Sequence, residues 1–195
     1  MKSNVYLKQP SRYRTRSTPV LPWLLPVVIA AGAAVLLSGC AVSVPKGVEP
    51  VTNFDVKKYA GTWYELARID HRFERGLINV SAQYSLNADG TVKVLNRGYN
   101  PEKKEWKQAE GKARFLGDPQ TASLKVSFFG PFYGGYNVVY LSNDYKTALV
   151  VGNSLDYFWL LSREKQIPER EMKALLERAA RLGVNLDDVI EVAQQ

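Results

Sequence analysis

The hydrophobic pattern changes character three times along the chain. No charged residue occurs between Arg16 and Lys46, and Val20 to Leu37 is apolar apart from Gly32, Pro22 and Pro26. Ala41 to Thr52 shows no periodicity and holds Pro45, Gly47 and Pro50, the composition of a tether. From Gly61 onward, strand-like runs alternate with turn-forming clusters. The runs are Gly61–Ile69, Val80–Leu86, Val92–Tyr99, Trp106–Phe115, Ala122–Phe128, Tyr136–Leu141, Ala148–Val151 and Tyr157–Ser162. Asn-, Asp-, Gly- and Pro-rich turns separate them, such as Asn87-Ala88-Asp89-Gly90 and Gly117-Asp118-Pro119. Eight consecutive short strands with short connections predict an all-β fold. An eight-stranded antiparallel up-and-down β-barrel satisfies the pattern, because closure removes exposed sheet edges.

The period then changes. Met172, Leu175, Leu176 and Ala179 stand at i, i+3, i+4 and i+7, one face of a C-terminal α-helix. Pro168 marks its start and Gly183 its stop. Glu169 and Glu171 in the first turn, with Arg178 and Arg181 in the last, suit the helix dipole. The apolar stripe is expected to pack on the outside of the barrel, and a short ninth strand is expected near Val189–Val192.

Charge and composition narrow the chemistry. The net charge is +7 over 26 basic and 19 acidic residues. Five of the basic residues precede residue 17, so residues 40–195 carry 21 against 19, or +2. No basic stripe with interleaved aromatics exists, which argues against nucleic acid as a partner. Cys40 is the only cysteine and His71 the only histidine. No disulfide can form within the chain, and neither a zinc site with nitrogen or sulfur ligands nor a Cys–His nucleophile pair is expected. No metal, cofactor or catalytic constellation is expected.

Residues 1–39 read as a secretion signal: a basic start, an apolar stretch, then small residues before a break. The break, Leu37-Ser38-Gly39-Cys40, resembles the lipobox of bacterial lipoproteins. That resemblance implies cleavage after Gly39 and lipidation of Cys40, with acyl chains contributing about 0.8 kcal/mol per buried methylene to membrane anchoring. Ala41, a non-acidic residue, resembles lipoproteins sorted to the bacterial outer membrane, lipid-anchored and facing the periplasm. An uncleaved membrane-spanning helix is the competing reading. The resulting organisation is a signal at 1–39, a lipidated start and tether at 40–52, and a barrel domain at 53–195.

Three separated motifs then line up. Gly61-Thr62-Trp63-Tyr64 opens the first strand, Asn143-Asp144-Tyr145 lies between the sixth and seventh, and Arg163 closes the eighth. Together they resemble the lipocalin family, close to the bacterial lipocalins and the apolipoprotein D group, over residues 53 to about 193. Asn143 stands where the family usually has Thr. In an eight-stranded meander these three places meet at one end. Arg163 is therefore expected over the Trp63 ring, and Gly61, Trp63, Asp144, Tyr145 and Arg163 are expected to close the barrel, without a ligand role. Phe54, Val56 and Tyr59 are expected to plug the same end.

The opposite end becomes the mouth, formed by Asp70–Ile78, Asn100–Glu105, Phe129–Gly135 and Gly152–Asp156. Period two places Tyr157, Trp159 and Leu161 inward with Arg163, Tyr84 with Ala82 and Val80, and Asn96 with Val94 and Val92. The resemblance to apolipoprotein D supports Tyr84, Asn96 and Trp159 as cavity residues, to which we add Tyr136 and Tyr157. Each has a plainer reading: the aromatics as filled core, and Asn96 as a turn residue or a satisfied buried amide. The aromatic cluster Phe128 to Tyr133 suits a mouth lining, a membrane-touching tip or a self-association patch in a homodimer. Arg68, His71, Arg72 and Arg75 suit either solvation or attraction of an anionic head.

The expected function is that of a membrane-anchored lipid-binding protein that stores or transports fatty acids, lysophospholipids or similar amphiphiles. A cavity enzyme of the isomerase or de-epoxidase kind is the second reading, with Glu65, inward with Trp63 and Ala67 by period two, its candidate acid; a Glu65 hydrogen-bonded near the strand is the plainer reading. An envelope interaction module with an incidental cavity is the third.

Overall fold

The computed structural model describes residues 42–195, all within the unit Cys40–Gln195. The signal segment and Cys40 lie outside the described residues. A single helical turn, α1 (Val56–Tyr59), precedes the strands, with Asp55 as its N-cap: the carboxylate accepts from the Lys57 N–H at 2.9 Å. The strands follow as β1 (Gly61–Ile69), β2 (Ile78–Leu86), β3 (Val92–Asn100), β4 (Glu105–Phe115), β5 (Ser123–Phe129), β6 (Phe132–Leu141), β7 (Thr147–Val151) and β8 (Phe158–Ser162). Each pairs antiparallel with the next, and β1 pairs with both β2 and β8, so the eight strands close into a barrel. Then come α2 (Glu169–Arg181), a short 3-10 turn (Leu186–Asp188) and β9 (Val189–Glu191).

β9 has a defined task. β2 pairs with the first half of β1, Gly61 to Tyr64, and then leaves it. β9 takes up the vacated edge, pairing with Ala67, Arg68 and Ile69. Asn79, in a left-handed conformation (φ 51°), bends β2 away and donates its N–H to the Ala193 carbonyl.

Two apolar layers form. Inside, Trp63, Tyr59, Phe54 and Leu124 join Val138 and Leu161. Outside, the α2 stripe packs as expected: Leu175 and Ala179 are buried on Leu66, Ala67, Leu149 and Leu160, with Met172 and Leu176 at the margin. Part of the segment expected to be a tether belongs to the fold. Val48 is buried in the outer layer with Val44 beside it, and Val51 bridges Val138 and Ala122 by backbone hydrogen bonds.

Two strand details differ from period-two expectations. β6 begins at Phe132, so Phe129–Gly135 is no loop: Phe129 pairs with Phe132 across Gly130-Pro131. In β1 the register shifts between Glu65 and Ala67. This bulge turns Leu66 and Ala67 outward under α2, leaves Glu65 in the cavity, and buries Arg68 beside it.

Candidate ligand-binding site

The closed end is built around Arg163. Its guanidinium lies 4.0 Å from the Trp63 ring centroid. It donates to the carbonyls of Thr62 (2.7 Å), Lys58 (2.9 Å), Tyr59 (3.0 Å) and Ala60 (2.9 Å), and through Nε to that of Tyr145 (3.3 Å). One side chain thus ties the end of α1, the start of β1 and the β6–β7 turn. Gly61 has φ +99°, and a Cβ there would sit 3.2 Å from Arg163 Nη1, so the position suits glycine both in conformation and in space. Asp144 shapes the turn by accepting from the Ser142 hydroxyl at 2.7 Å, and the Tyr145 hydroxyl accepts from the Asp55 N–H at 3.0 Å. Trp63 is fully buried and donates its indole N–H to the Tyr59 carbonyl at 2.8 Å.

Above this floor a cavity of about 620 Å³ runs to the opposite end, within the range of about 300–1,000 Å³ usual for small-molecule sites. All five sequence-selected residues, Tyr84, Asn96, Tyr136, Tyr157 and Trp159, line it. They occupy three levels. At the floor the Tyr136 hydroxyl bonds those of Tyr59 (2.7 Å) and Tyr84 (2.9 Å), and Tyr59 stacks between Trp63 and Tyr84. Burial pushes all three phenols above their ordinary range, so they stay neutral. Asn96 lies on the β3 wall with Oδ1 buried and unpaired. Trp159 donates its indole N–H to Glu74 Oε2 at 3.1 Å, and Tyr157 stands at the rim, stacked on His71 at 4.1 Å. Phe73, Phe129 and Phe132 complete an exposed aromatic rim.

The polar cluster at the β1 wall combines residues that sequence reading left apart. Arg68, expected either to be solvated or to attract an anionic head, is 1% exposed. It donates to Glu65 Oε1 at 2.8 Å, to Asp70 Oδ1 at 3.1 and 3.2 Å, and to the Glu74 carbonyl at 2.9 Å. Burial and the Glu74 charge raise the Glu65 carboxyl to about 8 against the opposing pull of Arg68, while Glu74 is raised chiefly by burial. Asp70, less buried and held by Arg75 and Arg68, is lowered. Glu74 gave no signal in the sequence, because it sits in an irregular loop that folds back into the mouth. An inward Glu65 follows from Trp63 by period two and was the available clue.

A closed eight-stranded barrel, plugged at one end by a Trp–Arg stack and hollow above it, defines a calyx. A lipocalin-like domain matches residues 54–194, and the chain belongs to the lipocalin family. The outer membrane lipoprotein Blc of Citrobacter freundii is 54% identical over 172 residues, covering 88% of this chain and 97% of that one. Apolipoprotein D of Rattus norvegicus is 35% identical over 129 residues, 60% of this chain and 64% of its own. The crystal structure of the cockroach allergen Per a 4 superposes with a TM-score of 0.60 at 22% identity, covering 80% of this chain and 95% of that one, and so shares the fold.

Proposed function

We propose that the protein is a lipid-anchored lipocalin of the bacterial outer membrane that holds one fatty acid, lysophospholipid or similar single-chain amphiphile in its calyx. The observation that carries this reading is the cavity of about 620 Å³, walled by Val, Leu, Ala and Phe side chains and sealed at one end. Such a space receives an elongated apolar tail and leaves a polar head toward the mouth. Tyr84, Asn96, Tyr136, Tyr157 and Trp159 are the proposed contacts. The relatives named outer membrane lipoprotein support the location, and the lipobox supports anchoring through Cys40 on the periplasmic side, with residues 1–39 removed. The exposed rim aromatics offer a surface for homodimer formation.

The test is native mass spectrometry of the form spanning residues 41–195, with extraction of whatever co-purifies, followed by titration with a fatty acid while Trp159 fluorescence is followed. Bound amphiphile and quenching support the reading. A protein that never yields lipid and shows no quenching would sink it. We read the site as binding rather than catalytic; a Glu65→Ala variant that keeps lipid binding and loses a turnover would reverse that choice.

A further inference from the structure

The polar part of the cavity wall is unbalanced. Two carboxyls, Glu65 and Glu74, line the cavity at 4% and 9% exposure. One buried guanidinium, that of Arg68, lies behind them and is shared with Asp70. Glu65 Oε1 takes a hydrogen bond from Arg68, and Glu74 Oε2 takes one from Trp159. Among the described residues no hydrogen bond reaches the second oxygen of either carboxyl. Among the described residues no lysine or arginine side chain lines the cavity.

These observations select a head group by its hydrogen-bonding character. A free carboxylate offers only acceptors and a negative charge. Lodged here, it would find one donor, the proton of Glu65, and would stand against the Glu74 carboxylate with no lining cation to balance the two charges. A primary ammonium carries three donors and no acceptor. Its charge also suits the aromatic corner, where the Tyr157 and Trp159 rings lie 6.4 Å apart beside Glu74.

We propose that the wall formed by Glu65 and Glu74, with Trp159, is an ammonium subsite. On this assignment the calyx prefers a single-chain amphiphile bearing a protonated amine and keeps a free carboxylate head out at the rim. The assignment rests on the reading of the cavity as an amphiphile site and specifies the head that it takes.

Proton linkage gives the subsite a signature that packing alone lacks. In the empty calyx burial keeps Glu65 protonated near neutrality. The groups facing it are Arg68 and Asp70 from β1 and its loop, Glu74 from the same loop, and Tyr84 from β2, while His71 faces Glu74. A bound ammonium stabilises the ionised carboxylate, so binding at neutral pH expels a proton. Affinity for an amine therefore rises between pH 6 and pH 8, whereas affinity for an uncharged alcohol of the same chain length does not.

The experiment compares dodecylamine, dodecanol and dodecanoate by titration calorimetry against the form spanning residues 41–195, in two buffers of different ionisation enthalpy. The expected result is at least tenfold tighter binding of dodecylamine than of dodecanoate at pH 7, with proton release on amine binding only. Glu74→Gln, which keeps an acceptor for the Trp159 indole, is expected to weaken dodecylamine at least fivefold and leave dodecanol unchanged. Glu65→Gln is expected to abolish the proton release; Glu74→Gln carries the test if the Glu65 variant does not fold. Dodecanoate binding as tightly as dodecylamine, or an amine affinity unmoved by Glu74→Gln, overturns the subsite while leaving the calyx reading intact. If dodecanol also fails to bind, the calyx reading itself fails.

Discussion

Replacing Arg163 with alanine isolates the closed end from the cavity. The variant loses a guanidinium 4.0 Å from a fully buried indole, worth about 1 kcal/mol within the usual range of about 0.5–2. It also loses hydrogen bonds to five carbonyls. Those to Thr62 and Lys58 are exposed and are replaced by water at little cost. Those to Tyr59, Ala60 and Tyr145 are partly buried; the first two contribute about 1 kcal/mol each, and the longer one to Tyr145, at 3.3 Å, adds little. The expected loss is about 3 kcal/mol, which moves the urea midpoint down by roughly 1.5 M for a slope of about 2 kcal/mol/M. Arg163→Lys keeps a cation near the ring but not the planar fork, and is expected to recover less than half. Below the shifted midpoint, amphiphile affinity is expected to equal that of the parent, because no atom of Arg163 lines the cavity. A loss under 1 kcal/mol would refute the stapling role. A tenfold weaker affinity at unchanged stability would refute the division into a structural floor and a binding space above it.

Other outcomes follow from single groups. Tyr136→Phe removes the hydroxyl that links Tyr59 and Tyr84, and is expected to lower stability by about 1–3 kcal/mol, measured by urea unfolding. Asn137→Ala is expected to cost a similar amount in thermal unfolding. Its fully buried amide accepts from the Ser123 hydroxyl at 2.7 Å and donates to the Gly152 carbonyl at 3.0 Å. Glu65 titrates from its ordinary 4.5 in the unfolded chain to about 8 in the fold, so its contribution is complete below pH 4.5 and is lost as pH rises toward 8. Glu65→Gln is expected to flatten the fall in stability between pH 5 and pH 8; an unchanged slope would assign the titration to Glu74 instead. Gly135→Ala places a Cβ 2.5 Å from Asn153 Oδ1 and is expected to displace the β7–β8 loop, read as weaker amphiphile binding.

The relation between sequence and structure is uneven along β1. Gly61 and Trp63 were legible because each obeys a local demand: one a left-handed backbone against Arg163, the other an inward ring at a strand start. Period two then carried the reading correctly through Glu65. The bulge at Leu66 ended it, since one extra residue reverses the facing of everything beyond, and nothing in Glu-Leu-Ala-Arg marks the place. Arg68, read as either a solvated cation or one drawing an anionic head, instead stands buried among its own acids.

What the chain determined by itself was everything that depends on local periodicity and punctuation: eight strands, their antiparallel succession, the α2 stripe, and the end at which Trp63 meets Arg163. Alternation also placed Tyr84, Asn96 and Trp159 on the inner face, because side-chain direction along a regular strand is fixed by geometry. The electrostatics of the calyx were decided only by tertiary structure. Whether Glu74 folds into the mouth, whether Arg68 is shared by two acids, and whether Asn96 finds a donor all depend on contacts between segments distant in sequence. Burial then sets the charge of each group, and burial is a property of the closed barrel rather than of any strand within it.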